Sequence, residues 1–270
     1  MSINRSSGPT QDYAFDRGPR ITAIETLIPK QVMPGLMLLR IHTDAGSIDG
    51  TECIGHGETY YIPEAAAAVI HDWMGQRLLG ADATAIEGHW RFLYERSTAF
   101  GGVGAELRAL SAIDLALWDI LGQLCEKPVW RLLGGPVRSA VPVYNSCGGP
   151  FYGVQSFGEG RPSWPGHGDP GKQGPLEDNW ASIHAPGDLA EELLDAGFRA
   201  MKIWAFDAIY RESGGLRVSP EDLRRGTEPF KEVRDRVGDR MDVMLDGHGF
   251  FALPAAIAIG KAMRPYAPLW

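Results

Sequence analysis

The chain has 270 residues, enough to bury a substantial core in one large domain or two smaller ones. Its formal net charge of -8 argues against a general nucleic-acid-binding surface, because such surfaces depend on clustered lysine and arginine. The three cysteines are too few and too scattered for a disulfide framework or a zinc site, so we expect them to be reduced and mostly buried.

Residues 1–20 are polar and are expected to form a flexible arm. They contain no apolar run of the kind that signal peptides carry, and no stretch of the chain reaches the length of a membrane span. We therefore expect a cytoplasmic protein that has neither a membrane nor a nucleic acid as its partner.

Three short segments after the arm predict an antiparallel sheet. Residues 21–27, the apolar run 36–42 and the segment 52–58 have the length of strands. The sequence Thr-Asp-Ala-Gly at 43–46 has turn chemistry and separates the last two. These segments favour a β pair or a meander.

Helical patterns follow the strands. One helix is expected over 64–79, with Pro63 at its start, and a shorter one over 87–97. The clearest helix covers 106–124, where apolar residues recur at helical spacing without a break. Strands first and helices afterwards predict an α+β domain over 21–140.

After residue 140 short strands alternate with helices. Strands are predicted over 141–144, 197–204 and 241–246, with the opening of a fourth at 268–270, and helices are predicted over 188–196, 221–237 and 254–263. Asp188 is expected to be the N-cap of the first of these helices. Such alternation is typical of parallel βα units. The Gly/Pro-rich stretch at about 148–187 is either a disordered insertion or a functional loop.

The ends of the three predicted strands carry polar side chains. Functional groups in parallel α/β barrels lie at the carboxyl ends of strands. Here those ends deliver Asn145 and Ser146, then Lys202 to Trp204, and finally Asp246 to His248. A hydroxyl, an ammonium, a carboxylate and an imidazole are therefore expected on one rim.

Each candidate also has a structural alternative. A carboxylate at Asp246 suits a hard cation such as magnesium, but an N-cap or loop-closing role fits equally well. His248 is a candidate acid–base group, and the alternative is a structural or solvated histidine that its glycine neighbours leave unshielded. Lys202 lies within an apolar strand, so we expect it to pair with a carboxylate or to face a pocket rather than to extend into solvent.

Two longer runs carry a resemblance to a known family. The sequence AIDLALWDI at 112–120 and KPVWRLLGG at 127–135 resemble the end of the capping domain in the mandelate racemase and muconate lactonizing group of the enolase superfamily. The resemblance continues through 141–146, 201–204 and 245–249, and it covers almost the whole chain from residue 21.

The resemblance implies an α+β capping domain over 21–140 followed by a (β/α) barrel of TIM type over 141–270. It implies Mg²⁺ held by three carboxylates on successive strands, and a small-molecule carboxylate substrate that loses its α-proton to form an enediolate. The superfamily uses a lysine or histidine base together with magnesium. A homo-oligomer is implied for the full-length enzyme.

Three residues of this chain match the family's metal and base positions. Asp246 matches the first metal carboxylate, and Lys202 matches the first lysine of a Lys-x-Lys element close to the substrate carboxylate. Trp204 stands where racemases and cycloisomerases have the second, basic lysine. This departure removes one of two opposed bases and therefore disfavours racemisation.

The remaining matches point to sugar-acid dehydration. His248 stands two residues after the metal aspartate, as in the family's sugar-acid dehydratases, where this histidine protonates the departing β-hydroxyl. Ser146 matches a position that can touch the substrate, and we expect Asn145 and Trp204 to contribute to substrate binding as well.

A complete barrel of this type needs eight strands and about 250 residues. Residues 141–270 leave room for about three βα units and the start of a fourth. We therefore expect an N-terminal part of such an enzyme, inactive alone, with the remaining metal ligands and a His–Asp base beyond residue 270. The alternatives are a racemase, epimerase or cycloisomerase of the same superfamily, and a non-catalytic remnant or assembly module.

Overall fold

The computed structural model describes residues 18–46, 50, 52–148, 173–174 and 177–270. The chain divides into two compact units, Met1–Val137 and Arg138–Trp270. Almost all of the expected arm and most of the expected insertion lie outside the described residues. Arg20, the last residue of that arm, instead belongs to the first unit, where it forms a β-bridge with Asp82.

The first unit contains a three-stranded antiparallel meander, as the sequence predicts. Its strands are β1 Ile21–Leu27, β2 Leu36–Gly46 and β3 Glu52–Tyr60, in the spatial order β1-β2-β3. The expected turn at 43–46 is wrong, because β2 continues to Gly46, which pairs with Glu52. The Thr43 hydroxyl donates a hydrogen bond of 2.8 Å to the Cys53 carbonyl and joins the strands at that point.

The three predicted helices of the first unit are all present. They are α1 Pro63–Val69, which continues through π-helical Ile70–Met74 into α2 Gly75–Leu78, then α3 Ile86–Ser97 and α4 Ala105–Leu124. A short helix that the sequence pattern did not predict, α5 Val129–Leu132, follows. In the π-helical segment the Gly75 N–H donates to the Ile70 carbonyl, five residues earlier, so this turn is wider than an α-helical turn.

Helix α4 lies directly on β3, where two glycines permit the contact. A Cβ atom on Gly57 would lie 2.0 Å from the Ala112 carbonyl oxygen, and one on Gly55 would lie 2.1 Å from that of Ala116. Only a residue without a side chain allows this approach of helix to strand. The buried face of α4 thereby reaches Leu39 and its neighbours in the core of the first unit.

The second unit contains two parallel strands with helices between them. In chain order its elements are α6 Asp178–His184, α7 Pro186–Asp195, β4 Ala200–Ile203, α8 Asp207–Ser213, α9 Pro220–Val237, β5 Asp242–Leu245 and α10 Leu253–Met263. Strands β4 and β5 pair in parallel, with Met201 opposite Val243. The core of this unit packs Ile203 and Val243 against Phe230 and Val233 of α9.

The predicted strand at 141–144 is absent, and the predicted opening of a strand at 268–270 is only partly formed. Val141 and Val143 are 75% and 67% exposed, and Pro142 has no amide hydrogen for a ladder. Pairing with β4 begins only at Asn145, whose N–H donates to Ala200. Leu269 N–H donates to the Val243 carbonyl along β5, but residues 268–270 do not form a regular strand.

Two further expectations at the start of the second unit are corrected. Residues 178–187, placed by the sequence in the insertion, are helical, since α6 and the first turn of α7 cover almost all of them. Asp188 is not an N-cap, because α7 already begins at Pro186 and Ala185 is its N-cap. Asp188 instead forms an ion pair of 2.6 Å with Arg236 of α9.

Two of the three cysteines are buried, as expected. Cys53 and Cys147 are buried and Cys125 is exposed, and all three thiols are free. Burial raises the pKa of Cys147 to about 12, so its thiol is inert at neutral pH. No helix in the described parts of the chain is both long and apolar enough to cross a membrane.

Candidate functional site

Four of the predicted site residues meet at the carboxyl ends of β4 and β5. Lys202 lies in β4 and Trp204 follows it, whereas Asp246 and His248 follow β5. The strands are parallel neighbours, so their carboxyl ends share one edge of the sheet. Lys202 Nζ lies 2.9 Å from Asp246 Oδ2, and the ring centroids of Trp204 and His248 are 5.5 Å apart. Together with Asp207, described below, we call these residues the strand-end cluster.

Lys202 pairs with a carboxylate, the first of the two alternatives that its sequence context left open. Its side chain is 13% exposed, so the ammonium needs a partner to offset its desolvation. Asp246 is that partner, and the rings of Tyr144 and Trp204 lie 5.7 and 5.5 Å from Nζ. The positive charge is therefore bordered by one carboxylate and two aromatic faces.

Asp246 uses both carboxylate oxygens within the cluster. Oδ2 faces Lys202, and Oδ1 accepts a hydrogen bond of 3.0 Å from the backbone N–H of His248, which closes the turn after β5. Burial acts to raise the pKa of this carboxyl. The hydrogen bonds from Lys202 and His248, with their charges, outweigh burial and hold the pKa below its usual value. Asp246 is therefore an anion at neutral pH.

The imidazole of His248 is shielded, and the expectation that its glycine neighbours would leave it unshielded is wrong. Its side chain is only 15% exposed. Phe250 stacks on the ring at 5.1 Å between centroids and 23° between planes, and Trp204 approaches it edge-on. The shielding comes from the residue two positions further along and from the loop after β4, not from Gly247 and Gly249.

Asp207 is a member of the cluster that sequence reasoning missed. Its Oδ1 lies 3.1 Å from His248 Nδ1, and its side chain is 5% exposed. The hydrogen bond to Asp207 is the main cause that raises the pKa of His248, and it outweighs the opposing effect of burial. The signal was present, because Asp207 lies just beyond Trp204 at the same strand end.

Asn145 and Ser146 border the cluster differently from each other. Asn145 accepts the backbone N–H of Lys202 at its carbonyl, and its side-chain Nδ2 donates to Asp178 Oδ2 at 3.0 Å. Its Oδ1 accepts the N–H of Cys147 at 2.6 Å. These bonds tie the end of the 141–144 segment to α6, while Ser146 is exposed.

The described residues do not by themselves fit a magnesium site. Magnesium prefers near-octahedral oxygen coordination, in proteins from one or two carboxylates with water and substrate oxygens. Both Asp246 oxygens are already engaged with Lys202 and His248. In the described ranges no three His, Cys, Asp or Glu side chains are grouped so as to hold a metal ion.

The first unit has a cavity of its own. It is about 960 Å³ in volume and is lined by residues of β1, β2, β3 and α4, with His71. Polar groups at its wall bond to one another: the His56 N–H donates to Asp119 at 2.9 Å, and His71 Nε2 lies 2.8 Å from the Thr26 hydroxyl. The strand-end cluster, with its buried carboxylate and imidazole, is therefore the stronger candidate for a catalytic site.

Two family profiles match this chain. The family "Mandelate racemase / muconate lactonizing enzyme, N-terminal domain" matches residues 12–134. The family "Enolase C-terminal domain-like" matches residues 186–270, which include β4, β5 and the four residues Lys202, Trp204, Asp246 and His248. The two matches follow one another in the chain.

Individual relatives agree with these matches. D-galactonate dehydratase from Variovorax paradoxus (strain S110) is 29% identical over 254 residues, which cover 93% of this chain and 54% of that protein. An enolase protein from Sargasso Sea environmental sequencing is 33% identical with a TM-score of 0.73, over 93% of this chain and 57% of that one. An Agrobacterium tumefaciens enolase of the mandelate racemase subgroup is 30% identical with a TM-score of 0.71, over 93% and 56%. The chain therefore spans a little over half the length of these relatives.

Proposed function

The chain belongs to the mandelate racemase/muconate lactonizing enzyme group of the enolase superfamily, and on that premise we propose that it forms the N-terminal part of a sugar-acid dehydratase, a hydro-lyase. Its fold is the superfamily's capping domain followed by a barrel domain. We propose that the barrel part contains about the first three βα units. The relatives are longer than this chain, so the dehydratase activity is proposed for the whole enzyme and not for these 270 residues alone.

The observation that carries the proposal is the pairing of His248 with Asp207 beside Trp204. The raised pKa of His248 keeps the imidazole protonated nearer neutral pH, where a general acid is most effective. The indole of Trp204 cannot accept an α-proton, so no second base stands at that position. A site with an acid but without two opposed bases favours elimination over racemisation.

The proposed reaction removes the elements of water from an aldonate-like acid. A base takes the proton from C2, and the family resemblance places this base beyond residue 270. The C3–O bond breaks, and His248 gives its proton to the departing oxygen, which leaves as water. The resulting enol rearranges to a 2-keto-3-deoxy acid. Lys202 offsets negative charge near the substrate carboxylate, and Asn145, Ser146 and Trp204 contact the substrate.

Magnesium enters this proposal from the superfamily, whose members typically use Mg²⁺ to stabilise negative charge that develops on substrate oxygens. The described residues do not form such a site alone. We propose only that Asp246 supplies one carboxylate ligand and that the remaining ligands lie beyond residue 270. A small-molecule carboxylate as the binding partner, a homo-oligomeric state and a cytoplasmic location complete the proposal.

The test begins with the nucleotide sequence after codon 270. The protein translated from the entire reading frame is then incubated with a panel of aldonic acids and Mg²⁺, and 2-keto-3-deoxy acids are measured as semicarbazones. The control is His248→Asn, because asparagine tolerates the left-handed backbone at this position. We expect the wild type to dehydrate at least one acid and His248→Asn to be slower by about 10²–10⁴-fold.

Three outcomes would overturn the proposal. Equal rates for the wild type and His248→Asn would remove His248 from the reaction. Epimerisation at C2 without dehydration would assign the enzyme to the superfamily's isomerases. A stop codon at this point, together with no turnover of any acid, would favour the non-catalytic remnant or assembly module.

A further inference from the structure

Helix α8 presents a carboxylate and an aromatic ring toward His248. Asp207, its first residue, places Oδ1 3.1 Å from His248 Nδ1. Tyr210, three positions later and on the same helix face, stacks on Phe250 at 4.4 Å and 23°. Phe250 in turn stacks on the imidazole at 5.1 Å and 23°. The imidazole edge thus meets a carboxylate and its face meets a two-ring stack, both supported from α8.

The backbone holds the loops after α8 and β5 together as well. The Ala252 N–H donates to the Gly215 carbonyl at 2.9 Å. Gly215 has a φ of 73°, and a Cβ atom there would lie 2.3 Å from the Phe250 carbonyl oxygen. This close approach requires glycine. The loop that carries His248 and Phe250 is therefore fixed to the end of the helix that carries Asp207.

The chemistry of the contact assigns the donor. An ionised carboxylate can only accept hydrogen bonds, so the contact with Asp207 requires a proton on His248 Nδ1. Asp207 is buried, and an aspartate at that depth needs hydrogen-bond partners. Among the described residues His248 Nε2 makes no hydrogen bond. The two ring nitrogens are therefore held in different environments.

We propose that Asp207 is a positioning residue that fixes the imidazole of His248, with Nδ1–H bonded into the protein and Nε2 presented to the substrate. When Nε2 gives its proton to the departing hydroxyl, the imidazole left behind is the Nδ1–H tautomer that Asp207 stabilises. The catalytic part of this inference rests on the proposed dehydration. The orientation and the tautomer rest on the geometry alone.

The test uses NMR on the 270-residue protein labelled with ¹⁵N in its histidines. Long-range ¹H–¹⁵N spectra, recorded at a pH where the ring is neutral, show which nitrogen carries the proton, and His248→Asn identifies the signal by its loss. We expect the Nδ1–H tautomer in the wild type. In Asp207→Asn the amide can donate to Nδ1, so we expect the Nε2–H tautomer to gain population, and in Asp207→Ala to dominate.

The controls separate positioning from general damage. Asp188→Ala removes an exposed carboxylate that pairs with Arg236, and it should leave the His248 signal unchanged. If Asp207→Ala does not fold, the isosteric Asp207→Asn decides. A wild type with the Nε2–H tautomer, or an Asp207→Asn variant that keeps the wild-type tautomer ratio, would overturn the inference.

Kinetics on the translated full-length enzyme then distinguish this inference from the proposed function. We expect Asp207→Asn to lower kcat by on the order of 10²-fold with little change in KM, because the substrate still binds while the acid is misaligned. A normal tautomer shift in an enzyme that dehydrates no sugar acid would sink the proposed function and leave the positioning of His248 intact. Dehydration with an unchanged kcat in Asp207→Asn would support the proposed function and would overturn the catalytic role of Asp207.

Discussion

His248 has a backbone conformation that L-amino acids seldom adopt. Its φ is 52°, and such a conformation costs on the order of 1–3 kcal/mol for a residue other than glycine. Two contacts offset this cost: the His248 N–H donates to Asp246, and the side chain meets Asp207. Strain that is held by two carboxylates at a strand end is typical of a functional position.

The pairing of His248 predicts a pH dependence of stability. The pKa of His248 is raised in the folded protein, chiefly by its hydrogen bond to Asp207, so the folded state binds this proton more tightly than the unfolded chain. Its contribution should be fully present below the unfolded pKa of about 6.5 and should be lost as the pH rises through the higher folded pKa. Urea unfolding of the wild type and His248→Asn from pH 5.5 to 9 measures the difference.

We expect the stability advantage of the wild type over His248→Asn to shrink with rising pH across that range. Exposed His184, which stacks on Trp180, provides a matched histidine. In His184→Asn the difference from the wild type should stay flat, because among the described residues the His184 ring contacts the carbonyl and the ring of Trp180 and no carboxylate. An advantage of the His248 side chain that grows with pH would contradict the assignment of Asp207 as its main partner.

Individual residues differed in how far the sequence could predict them. The need of Lys202 for a carboxylate follows from its apolar neighbours in β4, and the structure supplies Asp246. The position of Asp207 just beyond β4 marked it for this edge of the sheet, but its pairing with His248 could not be read from local pattern, because the two residues lie 41 positions apart in the chain. The shielding of the imidazole depends on Phe250 and Trp204 converging in space, which no local spacing reveals.

At the scale of elements, the packing of α4 on β3 predicts the effect of a single methyl group. In Gly57→Ala the new Cβ would lie 2.0 Å from the Ala112 carbonyl oxygen, a backbone atom that cannot move without shifting the helix. We expect a loss of about 3 kcal/mol in the free energy of unfolding, at the upper end for overpacking. Urea denaturation at pH 7 measures it.

Gly88→Ala is the matched control for this substitution. Gly88 is an exposed position within α3, and a Cβ there would meet nothing within 4 Å. Alanine has the higher helix propensity, so a gain of roughly 0.5–1 kcal/mol is expected. If Gly57→Ala changed the free energy of unfolding by as little as Gly88→Ala does, α4 would not rest on the backbone of β3.

Elements with strong internal periodicity were predicted well, and elements that depend on a neighbour were not. Helix α4 carries its own pattern of apolar residues, so its limits follow from the sequence. The segment 141–144 has the residues of a strand, but a strand exists only where a partner accepts its hydrogen bonds, and pairing begins at Asn145. Helix α8 has seven residues, too few for a periodic signal.

At the scale of the whole molecule, the chain has two separate cores and spans a little over half the length of the relatives it matches. One core is formed by the meander and α4, and the other by β4, β5 and the helices around them. The long runs at 112–120 and 127–135 made the family recognisable from sequence. Magnesium binding was also inferred from the family, and the described residues do not by themselves bear it out.

This gap predicts how the 270-residue protein responds to magnesium. Asp246 is a single carboxylate whose oxygens face Lys202 and the His248 N–H, so Mg²⁺ would have to displace an ammonium without gaining a second protein carboxylate among the described residues. We expect no saturable binding by isothermal titration up to roughly 1 mM Mg²⁺, and no 2-keto-3-deoxy acid from any aldonic acid.

Asp239→Asn is the surface control. Tight binding that Asp246→Asn abolishes and Asp239→Asn preserves would show that the 270 residues already complete a metal site. The proposal that the remaining ligands lie beyond residue 270 would then be wrong.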